Sequence, residues 1–158
     1  MGDDGKAYAA SDKDRITAIG VTPVAMVAYV GSETGVVGKT NGLAIALEDV
    51  SSNKLSWNNS GANNDNKTAA EWCNGWNTSN SITGGTWQLP SKDQWNNMIQ
   101  GLGGASSLQT KLGLQNNYWS SIEHESNAGD AYRYNFGNND WYYGNKNDLC
   151  NVRACLAF

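Results

Sequence analysis

The C-terminal segment, residues 116–158, constrains the fold more than any other part of the chain. Aromatic side chains crowd there among short polar ones, and Asn and Gly recur between them. Four short stretches combine aromatic or β-branched residues with turn residues on either side, which is typical of strands joined by loops. The segment therefore predicts short strands at residues 118–122, 131–136, 140–143 and 152–158.

The same segment has the composition of a contact surface. Tyr and Trp provide rigid contact area at little entropic cost, and Asn, Ser, Gly and Asp provide adaptable hydrogen bonds. Taken singly, an Asn or a Gly is more simply a loop residue, and an aromatic side chain more simply a core residue. The aromatic residues here, however, are interleaved with amides that a core would not accommodate, namely Asn135, Asn138, Asn139, Asn145 and Asn147.

Length and charge narrow the class of protein. A chain of 158 residues predicts one domain with a substantial core. The formal net charge is -4 and the basic residues are scattered, which disfavours a nucleic-acid partner. Continuous apolar runs are much shorter than the roughly 20 residues of a membrane span, so membrane insertion is not expected.

Residues 1–18 are small and polar, and we expect a flexible leader or linker, with order beginning near Ile19. The start shows no signal peptide, which leaves the compartment open. Asn58, Asn66 and Asn77 each begin an N-x-Ser/Thr sequon, which we attribute to chance in an Asn-rich chain.

The N-terminal half predicts a hairpin followed by a loop. Strands are expected at residues 24–30 and 43–47, joined by a glycine-rich turn. The stretch 51–67 holds few apolar side chains and reads as a loop.

Two helices are predicted in the middle of the chain. The first is expected to begin with Asp65 or Asn66 as its cap and to continue to about Trp76. The second has a capping box formed by Ser91 and Gln94, and glycines from position 101 onward end it. Only a short turn is expected at 108–112. Helices in the middle and strands at both ends predict an α+β fold.

The order of four motifs resembles a known family. The motifs are WQLPSKDQW at 87–95, YWSSIE at 118–123, AYRYNF at 131–136 and NVRACLAF at 151–158. Together they resemble the variable proteins of diversity-generating retroelements, over residues 19–158. The resemblance implies a C-type lectin-like fold of the formylglycine-generating-enzyme type. In such a fold two helices pack on short antiparallel sheets, and the N- and C-terminal strands are adjacent.

In that family a template is copied into the end of the gene with errors at adenines, so Asn codons scatter to other residues. The resemblance implies a variable region at 116–151 and framework residues at Trp119, Ser120, Ser121, Phe136, Val152, Arg153 and Phe158. It implies these ligand-binding, variable positions: His124, Asn127, Asp130, Tyr132, Arg133, Tyr134, Asn138, Asn139, Asp140, Tyr142, Tyr143, Asn145, Asn147, Asp148 and Leu149.

The resemblance also implies how such a protein works. Its ligand would be a protein or other macromolecular surface, it would need no cofactor, and it would stand on a phage virion or a bacterial cell surface. The variable side chains are expected on one exposed face. Because neighbouring residues of a strand point to opposite sides, we expect Tyr132 and Tyr134 to face outward together.

Other functions remain open. A nonvariable surface adhesin of the same fold is the main alternative. Cys150 and Cys155 have a spacing similar to that of the copper-binding thiols of formylglycine-generating enzymes, which would imply an oxidase. With Cys73 the count is odd, so at most one internal disulfide is possible.

Lectin and hydrolase chemistry find little support. Calcium-dependent lectins use Glu-Pro-Asn or Gln-Pro-Asp triplets, and neither occurs here. The run Asn139, Asp140, Trp141 with Glu123 and Glu125 could only imitate such a site. The chain has a single histidine, in a polar loop, and no metal-ligand spacing, so we predict no enzymatic activity.

Overall fold

The computed structural model describes residues 1–76 and 80–158, so the sequon at Asn77 lies outside the described residues. After a 3-10 turn at Ala10–Asp12, its helices are α1 (Lys13–Ala18), α2 (Ala69–Gly75), α3 (Lys92–Gly101) and α4 (Ala105–Leu112). Its strands are β1 (Ala25–Val30), β2 (Gly42–Ala46), β3 (Asn117–His124), β4 (Asn127–Asn135), β5 (Asp140–Asn145) and β6 (Cys155–Ala157).

The strands form two antiparallel sheets of three strands each, ordered β1-β2-β6 and β3-β4-β5. The α+β class is confirmed, and so is the predicted hairpin of β1 and β2. Strand β2 is buried along its whole length because β1 pairs with one of its edges and β6 with the other. Leu43 lies opposite Ala157 and Ile45 opposite Cys155, so the C-terminal strand β6 pairs with β2, while the first strand β1 lies on the other side of β2.

Helix α3 packs against both sheets. The predicted capping box is present, since the Ser91 side chain accepts from the amide of Gln94 and the Gln94 side chain accepts from the amide of Ser91. At the other end, a Cβ on Gly101 would lie 2.1 Å from the carbonyl oxygen of Ala28, so only glycine lets the helix approach β1 this closely. The buried Trp95 of this helix packs on the rings of Tyr118 in β3 and of Phe136 just after β4.

Helix α2 begins later than predicted. Its N-cap is Thr68, which forms a capping box with Glu71. Asp65 and Asn66 have φ of 47° and 60°, a left-handed conformation that turns the loop instead of capping a helix. The prediction that Asp65 or Asn66 caps this helix was therefore wrong.

Two helices were not predicted. Residues 108–112 belong to α4, which buries Ala105 and Leu108 and ends at the left-handed Gly113. Helix α1 lies within the predicted leader, where Ile16 is buried.

The start of the chain is also packed. The amino group of Met1 donates to the carbonyl of Ala25 at 2.7 Å, and Gly2 pairs with Pro23. The apolar Met1 and Ile16 are buried, so residues before Ile19 contribute to the core. The flexibility of residues 1–18 and the boundary of the main domain at residue 19 stay predictions.

The core consists of two clusters. The first core cluster is built around Trp87, Trp119 and Leu156, and the second around Trp95, Tyr118 and Phe136. Within the described ranges, no helix is long and apolar enough to cross a membrane.

An ion pair between the buried Arg153 and the half-buried Asp49 lies beside these clusters. The Nε of Arg153 is 2.6 Å from a carboxylate oxygen of Asp49, and its Nη1 donates to the carbonyl of Ala46. The hydroxyl of Tyr118 donates to the other Asp49 oxygen. Burial raises the pKa of Asp49, and the guanidinium opposes that shift.

Candidate ligand-binding surface

The three-stranded ribbon β3-β4-β5 carries most of the candidate binding residues. In its register Tyr132 lies opposite Tyr143, and Arg133 lies opposite Tyr142. Cross-strand partners point to the same side of a sheet, and neighbours along a strand point to opposite sides. The candidate residues are therefore divided between two faces, which corrects the expectation of a single exposed face.

One face carries a compact group of rings. The ring of His124 lies 5.5 Å from that of Tyr132 and 4.3 Å from that of Tyr143, centroid to centroid. We call His124, Tyr132 and Tyr143 the ring cluster. Tyr143 is 56% exposed, so the cluster is accessible to a ligand.

Two charged groups border the ring cluster. The hydroxyl of Tyr132 donates to a carboxylate oxygen of Glu125 at 2.8 Å, and the ammonium of Lys92 lies 3.6 Å from the centroid of the Tyr132 ring. The pKa of Glu125 is lowered, first by a hydrogen bond from its own backbone amide and then by the Tyr132 hydroxyl. The hydrogen bond to Glu125 in turn raises the pKa of Tyr132.

The expectation that Tyr132 and Tyr134 face outward together is wrong for Tyr134. They do share a face, but Tyr134 is buried, with its ring 4.8 Å from Phe136 and 5.2 Å from Trp141. Burial raises the pKa of its hydroxyl. The second core cluster, to which α3 contributes Trp95 and Met98, covers this half of the face and leaves only the half with the ring cluster open.

The opposite face is more polar. Nη1 of Arg133 lies 3.3 Å from a carboxylate oxygen of Asp148 and 3.6 Å from the sulfur of Cys150. Tyr142 is 42% exposed, and its hydroxyl accepts from the side chain of Asn138. This face offers hydrogen bonds and one aromatic ring.

The remaining candidates lie at the two ends of the ribbon. Asn127 and Asp130 are joined by a side-chain hydrogen bond near the turn between β3 and β4. At the opposite end of β4, Asn138 and Asn139 are exposed in the turn to β5, with Asn139 at a φ of 56°, and Asp140 is exposed at the start of β5. The structure does not bring these two groups together.

Asn145 ends β5, and the loop after β5 holds the last candidates, Asn147, Asp148 and Leu149; all four are exposed. This loop is fastened by a segment that the sequence indicated only as a loop. The Asn147 side-chain oxygen accepts from the Asn58 amide at 2.7 Å and from the Ser60 hydroxyl at 2.6 Å. Nothing local in the sequence could have indicated this contact, since the partners are 87 and 89 residues apart.

Lys146 is a framework residue among these surface positions. Its ammonium donates to the carbonyl of Ala128, pairs with Glu123 at 3.2 Å and lies 4.6 Å from the ring of Trp57. It ties the end of β5 to the β3-β4 hairpin and to the loop before α2. Lys146 is half-buried between two exposed asparagines, which the periodicity of the sequence does not indicate.

Most of the expected framework is buried. Trp119, Ser120, Phe136, Val152 and Arg153 lie in the interior. Ser121 and Phe158 are half-buried. Ser121 donates its amide to the carbonyl of Pro90.

The cysteines are buried and free. Cys150 and Cys155 are not bonded to each other, and they belong to different core clusters. Burial raises the pKa of all three thiols. Over residues 1–76 and 80–158, no group of three His, Cys, Asp or Glu side chains is placed to hold a metal ion. Of the two acids considered for calcium, Glu123 is paired with Lys146 and Glu125 accepts from Tyr132.

Comparison with known structures identifies a fold neighbour. The chain is similar to a fimbrial protein from Bacteroides ovatus, with a TM-score of 0.58 and 16% sequence identity. The match covers 87% of this chain and 46% of that protein, so the chain spans less than half the length of its neighbour. No protein-family model and no curated protein matches the sequence. At this identity the likeness concerns the fold.

Proposed function

We propose that the protein is a surface-displayed, adhesin-like recognition module that binds a macromolecular target through the β3-β4-β5 ribbon. One observation carries the proposal: every candidate position except Tyr134 is exposed or half-buried, on a ribbon whose base is anchored in the core. The neighbouring fold of a fimbrial protein supports display on a cell surface.

The ribbon has the physical properties of a recognition surface. Tyr142 and Tyr143 are large side chains exposed on a sheet whose backbone is fixed by cross-strand hydrogen bonds, and Leu149 is exposed in the loop that follows β5. Tyr side chains are frequent hot spots of interfaces, and each can contribute about 2 kcal/mol when a partner buries it. Because a strand is already ordered, little entropy is lost when its side chains make contact.

A non-enzymatic role agrees with the chemistry of the chain. The cysteine thiols are buried with raised pKa values, which suppresses the reactive thiolate. The neighbours of His124 are two tyrosine rings and the amide of Ser126, a set of contacts suited to a binding surface. A C-type lectin-like fold belongs to this proposal and is supported by the pairing of the C-terminal strand β6 with the N-terminal hairpin, at β2.

Cell binding tests the function directly. Fluorescently labelled protein should bind to bacterial or host cells, and Tyr143→Ala and Tyr142→Ala should each weaken binding about 10- to 30-fold, as loss of a hot-spot tyrosine does. Ile19→Ser serves as the matched control, because Ile19 is 72% exposed but lies outside the ribbon. Equal binding by all four proteins would rule out the ribbon as the contact surface.

A second candidate function is that of a binding protein diversified by a retroelement and displayed on a phage virion or a bacterial surface. The observation that favours it is the contrast between accessible candidate positions and buried framework residues such as Trp119 and Val152. Sequencing this gene across a population should show substitutions only at adenine-containing codons of residues 116–151. Invariant codons there would leave the fixed adhesin as the function.

A further inference from the structure

An ammonium group already lies on the ring cluster in the free protein. Lys92, the first residue of α3, places its Nζ 3.6 Å from the centroid of the Tyr132 ring and 5.4 Å from that of Trp141. A cation within about 6 Å of a ring centroid is attracted by the negative face of the ring. In the described part of the chain Lys92 forms no direct ion pair, and its charge acts on the two rings and, at longer range, on Glu125.

The surroundings of the rings also favour a cation. The exposed carboxylate of Glu125 lies at the Tyr132 hydroxyl, and Asp130 is on the same strand as Tyr132. Lys92 and His124 are the basic residues whose charges act on Glu125, and the whole chain has a net charge of -4. Rings with a carboxylate at their edge are the chemistry that recognises lysine and arginine side chains.

We infer that the ring cluster and Glu125 bind a lysine or arginine side chain of a protein partner, and that Lys92 occupies this site until the partner displaces it. The inference rests on the proposed function and adds the chemistry of the contact. The partner contributes a basic segment to an acidic protein. Lys92 lowers the apparent affinity, because its own interaction with Tyr132 must be broken first.

The test uses three short peptides that differ in one side chain: Ac-Gly-Lys-Gly-NH2, Ac-Gly-Arg-Gly-NH2 and Ac-Gly-norleucine-Gly-NH2. The chain has a single histidine, so the ring protons of His124 give an unambiguous NMR reporter within the site. The two cationic peptides should shift these signals saturably in the millimolar range, and the norleucine peptide should not.

Variants separate the parts of the site. Lys92→Met keeps the length of the side chain but removes its charge, and it should tighten peptide binding about two- to five-fold, the strength of an exposed cation–π contact. Tyr132→Leu should abolish the saturable shift. Glu125→Gln should weaken binding, whereas Asp14→Asn, which removes an exposed carboxylate on α1, should not.

Three results would overturn the inference. They are no saturable shift in either the wild type or Lys92→Met, equal shifts with all three peptides, and weaker binding by Lys92→Met. None of these results would contradict the proposed function, which is tested separately by cell binding of the Tyr142 and Tyr143 variants. Cell binding that depends on Tyr143 without any selectivity for cationic peptides would leave the recognition module standing and remove only the cation site.

Discussion

A buried amide, Asn64, holds the loop that supports the end of the ribbon. Its side-chain oxygen accepts from the amide of Ser56, and its side-chain nitrogen donates to the carbonyls of Ser56, Asn58 and Lys67. The loop closes tightly around this side chain, since a Cβ on Gly61 would lie 2.5 Å from the Asn64 oxygen. Asn64 therefore positions Asn58 and Ser60, which fasten Asn147.

Replacing Asn64 should damage both the loop and the surface it supports. Asn64→Ala leaves buried backbone groups without partners and should lower the free energy of unfolding by about 3 kcal/mol. Asn64→Asp should cost at least as much, because a carboxylate would face three carbonyl oxygens. Urea unfolding measures both variants.

The neighbouring Asn63 provides the matched control, because it is exposed and makes one long hydrogen bond of 3.5 Å. Asn63→Ala should be close to wild type in stability. Hydrogen exchange at the amide of Asn147 should accelerate in Asn64→Ala and not in Asn63→Ala. Unchanged exchange would mean that the loop does not support this end of the ribbon.

At the level of elements, local signals explain which helices could be predicted. Helix α3 was predictable because its capping box and its stripe of apolar residues lie within a few positions of one another. The capping box of Thr68 and Glu71 is equally local, but the Asp and Asn residues just before it suggested an earlier start. Helix α4 has the glycine Gly104 as its N-cap, without a capping side chain, and offers no such signal.

The positions of the strands could be predicted from the sequence, but not which of their side chains are buried. The alternation of β4 correctly places Tyr132 and Tyr134 on one side of the sheet. Whether each side chain is exposed or buried depends on whether the core covers it. That coverage comes from Trp141 and Phe136 and from the Trp95 region of α3, which lies about 40 residues earlier in the chain. For the same reason the contact of Asn58 with Asn147 could not be read from local patterns.

For the whole molecule, the three cysteines report on both halves of the core. Cys73 and Cys150 lie in the first core cluster and Cys155 in the second, and all are fully buried as free thiols. If the domain unfolds in one cooperative step, a thiol reagent should modify none of them in the native protein and all of them together near the urea midpoint. Early reaction of Cys155 alone would show that the clusters open separately.

The same thiols predict how stability depends on pH. Burial raises their pKa in the folded state, so above the unfolded-state pKa of about 8.5 the unfolded chain loses its thiol protons first. The unfolded state then binds fewer protons than the folded state, and stability falls as the pH rises. Each fully ionised unfolded thiol contributes a slope of about 1.4 kcal/mol per pH unit.

Urea unfolding between about pH 8.5 and 9.5, below the range where tyrosines titrate, should therefore show a decline in the free energy of unfolding. Cys155→Ala should reduce the decline in the free energy of unfolding by about a third, because the three thiols contribute independently to the linkage. An unchanged decline would contradict the assignment of Cys155 as a thiol that is neutral in the folded protein and ionised in the unfolded chain.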